Sequence, residues 1–193
     1  RFLGRYLVEC ALARNHRITL FNRGQSNPEL FAEVEKLHGN RDRDLQALRG
    51  RTWDAVVDTC GFTSGQVRTT SKLLADSVHH YTFISSISVY RDFTKSGLDE
   101  NGALEQLPDG VVEDIANPET YGARKALAEQ AVEETMPNRV LTVRAGMIVG
   151  PYDSSGRFHY WVRRTVGRGE LLAPGQPGAP VQLIDVRDLA EWI

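Results

Sequence analysis

The chain has 193 residues, of which 41% are hydrophobic and 25% are charged, and its formal net charge is -2. This balance excludes a broadly basic surface for nucleic acid, and no apolar run approaches the roughly 20 residues that cross a bilayer. No signal-peptide pattern opens the chain. Cys10 and Cys60 lie too far apart in sequence to suggest a metal site, and they indicate reduced thiols in a cytoplasmic protein.

The length of the chain suits one domain together with a piece of another. The sequence begins inside a predicted helix with no strand before it, and it ends inside another helix at residues 188–193. We therefore expect the chain to be a fragment of a longer protein.

Predicted helices and strands alternate along the chain. Helical periodicity predicts a helix from Phe2 to Asn15, and a second helix is predicted from Pro28 to Lys36. Further helices are predicted at residues 66–76, from residue 121 onward, at 157–166 and at the end of the chain. Strands are predicted at residues 17–21, 54–58, 80–85, 139–144 and 181–184. Residues 91–118 form one long loop and residues 146–156 are rich in turns. This alternation indicates an α/β fold with a parallel sheet covered on both faces.

A tyrosine and a lysine four residues apart stand at the start of one predicted helix. Tyr121 and Lys125 fall on one face of that helix, about one turn apart. A free phenol titrates near pH ~10, and a nearby fixed positive charge favours its phenolate form. Tyr121 is therefore a candidate for moving a proton to or from a substrate oxygen. The alternative is a surface lysine and a half-buried tyrosine on an ordinary amphipathic helix.

The other distinctive clusters follow predicted strands. They are Asn22-Arg23-Gly24, Thr59-Cys60-Gly61, Ser85-Ser86-Ile87-Ser88 and Ala145-Gly146. In an open parallel sheet, ligands bind beyond the carboxyl ends of the strands. The coincidence predicts one shared site at that edge.

Four segments, in chain order, resemble the successive motifs of the extended short-chain dehydrogenase/reductase superfamily, in its NAD-dependent epimerase/dehydratase branch. They are Phe-Ile-Ser-Ser-Ile-Ser-Val-Tyr at residues 83–90, Tyr-Gly-Ala-Arg-Lys at 121–125, Arg-Ala-Gly-Met-Ile-Val-Gly-Pro at 144–151 and Ile-Asp-Val-Arg-Asp-Leu-Ala at 184–190. The resemblance covers nearly the whole chain. It implies a Rossmann-like, doubly wound parallel sheet that lacks its first strand, over residues 1–150. Residues 151–193 would begin a smaller C-terminal substrate domain, interleaved with the last Rossmann elements.

The resemblance also implies a Ser-Tyr-Lys catalytic set. Ser86, four residues before Tyr90, matches the catalytic serine, and Tyr121 matches the group that handles the proton. Lys125 matches the residue that holds the nicotinamide ribose and favours the tyrosinate. A serine that only caps the end of the strand is the alternative for Ser86.

Contacts with NAD or NADP are implied at the remaining strand ends and at the start of the chain. The implied cofactor residues, besides Tyr121 and Lys125, are Phe2, Leu3, Gly4, Asn22, Arg23, Asn40, Arg41, Thr59, Cys60, Gly61, Ser85, Ala145 and Gly146. Residues 1–5 resemble the tail of a glycine-rich phosphate loop, with Gly4 as its last glycine at a helix N-terminus. The earlier glycines and the first strand would precede residue 1.

The chain departs from the family pattern at several of these positions. Asn40 stands where an acidic residue commonly meets the adenine, and Ala145 replaces a usual proline. The second strand ends in Asn22 and Arg23 without a carboxylate, which favours NADP over NAD. The alternative is that Arg23 stacks on the adenine or lies in solvent.

The substrate side is implied by Ser88 and by the aromatic and basic segment at residues 155–163. Arg157 and His159 are its candidate substrate contacts, and the alternative is a packed interdomain helix. Asp185 and Asp188 are expected to fix the local backbone and cap a helix.

We expect an enzyme that transfers a hydride between nicotinamide and a hydroxyl-bearing or carbonyl carbon of a small molecule or nucleotide sugar, with no metal. The alternative is a catalytically idle cofactor-binding sensor or RNA-associated scaffold of the same fold. We expect no nucleic-acid or membrane partner, and the oligomeric state stays open, with a homodimer of the full-length protein among the options. The chain as printed is expected to bind cofactor weakly and to be of low stability, because a central strand would be missing.

Overall fold

The computed structural model describes residues 2–94, 97–167, 169–173 and 175–193. Its α-helices are α1 Phe2–Ala13, α2 Ser64–Leu74, α3 Tyr121–Thr135, α4 Arg157–Val166 and α5 Val186–Trp192. Its strands are β1 Thr19–Asn22, β2 Glu35–His38, β3 Trp53–Asp58, β4 Val78–Ile84, β5 Val140–Val143, β6 Met147–Val149 and β7 Leu183–Asp185. Arg1, at the start of the predicted phosphate loop, lies outside the described residues, as do Lys95 and Ser96 of the predicted long loop.

The chain divides into two compact units, of which Ile18–Ala145 is the larger. Its main sheet has the order β3-β4-β5, and both pairs of strands are parallel. Tyr81 and Phe83 of the central strand are fully buried. They share one apolar cluster with Val67 of α2 and Val132 of α3. Burial of these large side chains is the main favourable contribution to the stability of this unit.

A second parallel pair, β1 with β2, belongs to the same unit. β1 pairs only with β2, and β3 pairs only with β4, so among the described residues no strand occupies the other edge of either. This arrangement is the one expected of a parallel sheet without its first strand. The predicted α/β fold class is confirmed.

Arg1–Arg17 and Gly146–Ile193 form the smaller unit. α1 packs against α5 with Leu3, Val8 and Leu189 among its buried residues. β6 and β7 form a parallel pair, and Asp185 caps α5 by accepting the Arg187 N–H at 2.8 Å, as expected. α4 also belongs to this unit and buries none of its residues.

The helix predicted from Pro28 to Lys36 is wrong. Turns occupy residues 28–33, and β2 follows. Asn27 and Phe31 have φ of 47° and 57°, left-handed values that a right-handed helix cannot contain. β2 has Leu37 as its one buried residue, so its sequence shows no strand pattern.

The turns predicted over residues 146–156 are wrong at their start, where β6 forms. The other predicted strands and helices are confirmed, with ends displaced by a few residues. No described helix is long and apolar enough to span a membrane. Within the same ranges, no group of three or more His, Cys, Asp or Glu residues is arranged to hold a metal ion.

Candidate active site

Lys125 is buried at the carboxyl edge of the main sheet. Its ammonium donates to the Gly61 and Ile84 carbonyls, both at 2.8 Å, and lies 4.1 Å from the centre of the Phe83 ring. Gly61 follows β3 and Ile84 ends β4, so the lysine joins α3 to the ends of two neighbouring strands. Only 4% of the residue is exposed.

The environment lowers the pKa of Lys125 to about 8 from the usual 10.5. Burial is the largest cause, and the nearby carboxylates of Asp58 and Glu129 act in the opposite direction. At neutral pH the lysine therefore remains largely protonated and keeps its positive charge beside the strand ends.

Tyr121 begins α3 one turn before Lys125 and is half-buried. Its ring lies 5.9 Å from the Arg124 guanidinium, and its hydroxyl makes no hydrogen bond to the described part of the chain. Arg124 is itself buried and donates to the Phe62 and Asn117 carbonyls and to the Thr120 hydroxyl. It thereby fastens the first turn of α3 to the loop after β3.

The serine segment lies next to this helix. Ser86 accepts a hydrogen bond from the Ser88 N–H at 3.1 Å and caps the short 3-10 helix Ile87–Val89. Its hydroxyl donates to the Ser88 hydroxyl, also at 3.1 Å. The side-chain oxygen of Ser85 is buried without a hydrogen-bond partner among the described residues. Capping and a catalytic role are compatible for Ser86, because the cap uses the oxygen as an acceptor and the hydroxyl proton can rotate from Ser88 to a substrate oxygen.

Gly122 brings the serine segment and α3 together. A Cβ at this position would collide with the Ser88 carbonyl oxygen. Only glycine therefore lets the helix carrying Tyr121 approach the segment carrying Ser86 this closely. Sequence reasoning passed over this glycine, although its place directly after Tyr121 was a signal.

Asp58, the last residue of β3, was also missed. It accepts from both terminal nitrogens of Arg41, at 2.8 and 2.9 Å, from the Tyr81 hydroxyl at 2.8 Å and from the Cys60 N–H at 2.9 Å. Burial alone would raise the pKa of Asp58, but these donors, Arg41 foremost, hold it below its usual range. Burial, and then the Asp58 charge, raise the pKa of Tyr81 well above its usual value, so its hydroxyl stays a donor. A charged residue directly after the apolar run at residues 55–57, at the carboxyl end of the strand, was the available signal.

A second ion pair, between Arg144 and Glu129, ties α3 to Tyr90 and to the long loop. Arg144 donates to the Glu129 carboxylate, with its shortest bond at 2.7 Å, to the Tyr90 hydroxyl at 2.9 Å and to the Glu100 carbonyl at 3.0 Å. Glu129 lies one turn after Lys125, on the same helix. The pattern Lys-x-x-x-Glu could have pointed to it.

The structure brings Gly61, Ser85, Ser86, Tyr121 and Lys125 to one edge of the larger unit. Ser88 lies beside them, and the Ala145 carbonyl accepts from the Ile87 N–H at 3.0 Å. Gly146 belongs to the smaller unit, where it lies against Gln182.

The predicted cofactor residues on β1 and in the turn after β2 belong to the larger unit, and most of them bond within their own turns. The Asn22 side chain accepts from the Gly24 N–H at 2.7 Å, whereas Arg23 is exposed. Asn40 accepts from the Asp42 N–H at 3.0 Å, and Arg41 is engaged by Asp58. Thr59 and Cys60 are exposed at the end of β3.

The remaining predicted residues belong to the smaller unit. Phe2, Leu3 and Gly4 form the first turn of α1. Arg157 and His159 are exposed on α4, where the Arg157 guanidinium donates to the Ser155 hydroxyl at 3.2 Å.

The strand order and the parallel pairing are those of a Rossmann-like α/β fold. No family model matches the sequence, and no curated protein does. Among solved structures, the chain is similar to Pal from Bacillus thuringiensis, with a TM-score of 0.74 and 17% identity, over 99% of this chain and 69% of that one. It is also similar to UDP-N-acetylglucosamine 4-epimerase from Bacillus cereus, with a TM-score of 0.69 and 16% identity over 99% and 67% of the two chains.

A third similar structure is TunA, a NAD-dependent NDP-hexosamine 5,6-dehydratase involved in tunicamycin biosynthesis. Its TM-score is 0.74 and its identity 15%, over 98% of this chain and 66% of that one. The chain thus spans about two thirds of the length of the structures it matches. At these identities the likeness establishes the fold, which is the one implied by the resemblance to the extended short-chain dehydrogenase/reductases.

Proposed function

We propose that the chain carries the active site of a nicotinamide-dependent epimerase, dehydratase or reductase of the extended short-chain dehydrogenase/reductase superfamily. It would transfer a hydride between the nicotinamide and a hydroxyl-bearing or carbonyl carbon of its substrate, which would be a small molecule or a nucleotide sugar. The observation that carries the proposal is the buried ammonium of Lys125, bonded to the ends of β3 and β4, one helical turn from Tyr121. Support comes also from the fold, since two similar structures are an epimerase and a NAD-dependent dehydratase.

The residues present fit a nicotinamide dinucleotide. An ammonium has three donors, and Lys125 uses two of them on backbone carbonyls. The third is available for a ribose hydroxyl. The Tyr121 hydroxyl, without a partner in the described ranges, is available for the same ribose or for substrate.

When bound, the nicotinamide accepts or donates the hydride at its C4 atom. Tyr121 takes the proton from the substrate hydroxyl during oxidation, or returns one to the carbonyl oxygen during reduction. Ser86 donates a hydrogen bond to the same oxygen and stabilises the charge that develops on it. The positive charge of Lys125, one helical turn away, would stabilise the negative charge that develops on the reacting oxygens.

Replacement of the Tyr121 hydroxyl tests this assignment. In the full-length protein, Tyr121→Phe is expected to lower turnover by about 10²- to 10⁴-fold, the usual contribution of a positioned acid-base group. Cofactor affinity should change little, because Lys125 is untouched. Turnover is assayed with a series of candidate substrates, beginning with nucleotide sugars. Unchanged turnover of every accepted substrate would favour the idle cofactor-binding module instead.

The end of β1 supports NADP as the preferred cofactor. Asn22 uses its side-chain oxygen within its own turn, and Arg23 is exposed without a hydrogen bond to the described residues. A free guanidinium at this position suits a ribose 2′-phosphate. TunA, by contrast, is NAD-dependent. Titration of the full-length protein with each cofactor measures the two affinities. NAD binding at least about tenfold tighter than NADP binding would contradict the preference for NADP.

A further inference from the structure

The backbone that holds Lys125 is itself held by a carboxylate. Asp58 accepts from the Cys60 N–H at 2.9 Å, and the next residue, Gly61, supplies one of the two carbonyls that bind the Lys125 ammonium. The turn from Asp58 to Gly61 is therefore fixed at both ends by hydrogen bonds to charged groups.

Packing leaves this turn little room to move. A Cβ on Gly61 would lie 2.5 Å from the Phe83 ring and 2.6 Å from Val67. The same Phe83 ring lies 4.1 Å from the Lys125 nitrogen. The carbonyl is thus confined by buried side chains on one side and by the Asp58 bond on the other.

Arg41 orients the carboxylate. Its two terminal nitrogens bind both Asp58 oxygens, and one of them also reaches the Thr70 hydroxyl at 3.3 Å and the Gln66 carbonyl at 3.5 Å. Such a bidentate pair sets direction as well as distance. The Arg41 Nε is buried without a partner among the described residues, which shows that the guanidinium is placed for Asp58.

We propose that Arg41 and Asp58 are positioning residues that hold the turn at Cys60 and Gly61, and through it the ammonium of Lys125. This role replaces the cofactor contact expected for Arg41 from the sequence. The inference rests on the proposed function only in its last step, in which Lys125 then binds the nicotinamide ribose.

The charges around Lys125 make the proposal testable. Asp58, Glu129 and Cys60 raise the pKa of Lys125, whereas Arg41 and, above all, burial lower it. Loss of Asp58 with the site intact therefore lowers the pKa of Lys125. Loss of the hold on the turn would instead admit water and raise that pKa toward the ordinary lysine value.

The first experiment measures the reactivity of Lys125 without cofactor. Competitive acetylation of Lys125 in the full-length protein across the pH range, read by mass spectrometry, should show an inflection at about pH 8. In Asp58→Asn, whose amide oxygen can still accept the Cys60 N–H, the inflection is expected to fall because only the charge is lost. An unchanged inflection in folded Asp58→Asn would show that the carboxylate does not act on Lys125 and would overturn the proposal.

A double variant tests the proposal in case Asp58→Asn alone unfolds the protein by leaving Arg41 buried without its carboxylate. Arg41→Met with Asp58→Leu replaces the buried pair by apolar side chains, which leaves no unpaired charge, although the Tyr81 hydroxyl loses its acceptor at some cost in stability. It should stay folded, raise the Lys125 inflection toward the ordinary lysine value and speed hydrogen exchange at the Cys60 amide by at least about tenfold. Glu129→Gln is the matched control: it removes another nearby carboxylate but should leave the Cys60 amide protected. Protection retained in the double variant would also overturn the proposal.

Cofactor affinity separates this inference from the proposed function. If Asp58 acts through Lys125, Asp58→Asn weakens cofactor binding in the wild-type background and has little further effect in Lys125→Met. Equal effects in both backgrounds would count against the positioning role. A wild-type protein that binds no nicotinamide dinucleotide would refute the proposed function, while the reactivity and exchange results would still decide the inference.

Discussion

Two arginine–carboxylate pairs in the larger unit are buried to nearly the same degree, yet they are bonded differently. The side chains of Arg41 and Asp58 are 15% and 8% exposed, and those of Arg144 and Glu129 are 18% and 9% exposed. Asp58 collects four donors, whereas Arg41 has only long contacts besides Asp58. In the other pair the arginine has the additional strong partners.

Arg144 keeps the Tyr90 hydroxyl and the Glu100 carbonyl even when Glu129 is removed. The Tyr90 ring, 4.9 Å from the guanidinium, adds a cation–π contact. Burial alone therefore does not predict the cost of breaking a buried pair. The partners that remain for the surviving charge decide that cost.

The largest expected effect is that of Asp58→Asn. The change leaves Arg41 buried beside an amide, and loss of one partner of a buried pair typically costs about 3 to 5 kcal/mol. Urea unfolding of the full-length wild type and variant measures this change in the free energy of unfolding. Asp54→Asn, an exposed carboxylate on the same strand, should cost less than about 0.5 kcal/mol. A cost below about 1 kcal/mol for Asp58→Asn would show that Arg41 finds other partners.

The next effect concerns pH and distinguishes Lys125 from both pairs. Between about pH 8 and pH 10.5 the unfolded chain still holds the lysine proton that the folded chain has lost. The free energy of unfolding therefore rises with pH across this window, by about 3 kcal/mol for the full shift. Unfolding of the wild type and of Lys125→Met, each at pH 7 and at pH 10, gives the difference in free energy of unfolding between the two proteins at each pH. A difference that is independent of pH would contradict the lowered pKa of Lys125.

Glu129→Gln should have a smaller effect on stability, about 1 to 3 kcal/mol, because Arg144 retains two strong acceptors. The loop near Glu100 should exchange its amide hydrogens faster, since the Glu129 carboxylate no longer orients the guanidinium that binds it. Arg68→Ala is the control, because Arg68 and Glu134 form a surface pair whose loss should cost at most about 1 kcal/mol. If Glu129→Gln cost as much as Asp58→Asn, the contrast between the two pairs would disappear.

Much of the fold could be predicted because its strands β3, β4 and β5 are apolar and bounded by turn residues. β2 could not, because its register with β1 depends on a hydrogen bond between Thr19 and Glu35 and on one buried leucine. The local sequence pattern of residues 35–38 reveals neither the hydrogen bond nor the burial of the leucine. The left-handed Phe31, which ends any helix there, is likewise set by the surrounding chain.

The candidate site shows the same division. Tyr121 and Lys125 could be paired from their spacing, since both lie on one helix. Asp58 and Arg41 are 17 positions apart and meet only when β3 and the turn after β2 are in place. Their bond, and the carbonyl partners of Lys125, are products of tertiary structure that no spacing rule contains.

The most direct test of the account is the distance between bound nicotinamide and Tyr121. Isotope-filtered NMR of the full-length protein, with labelled tyrosine and saturating NADPH, should show a nuclear Overhauser effect between the hydrogens on nicotinamide C4 and the Tyr121 ring. The effect should disappear in Tyr121→Leu while the cofactor remains bound. Saturated binding without any contact to Tyr121 in the wild type would contradict the assignment of this site.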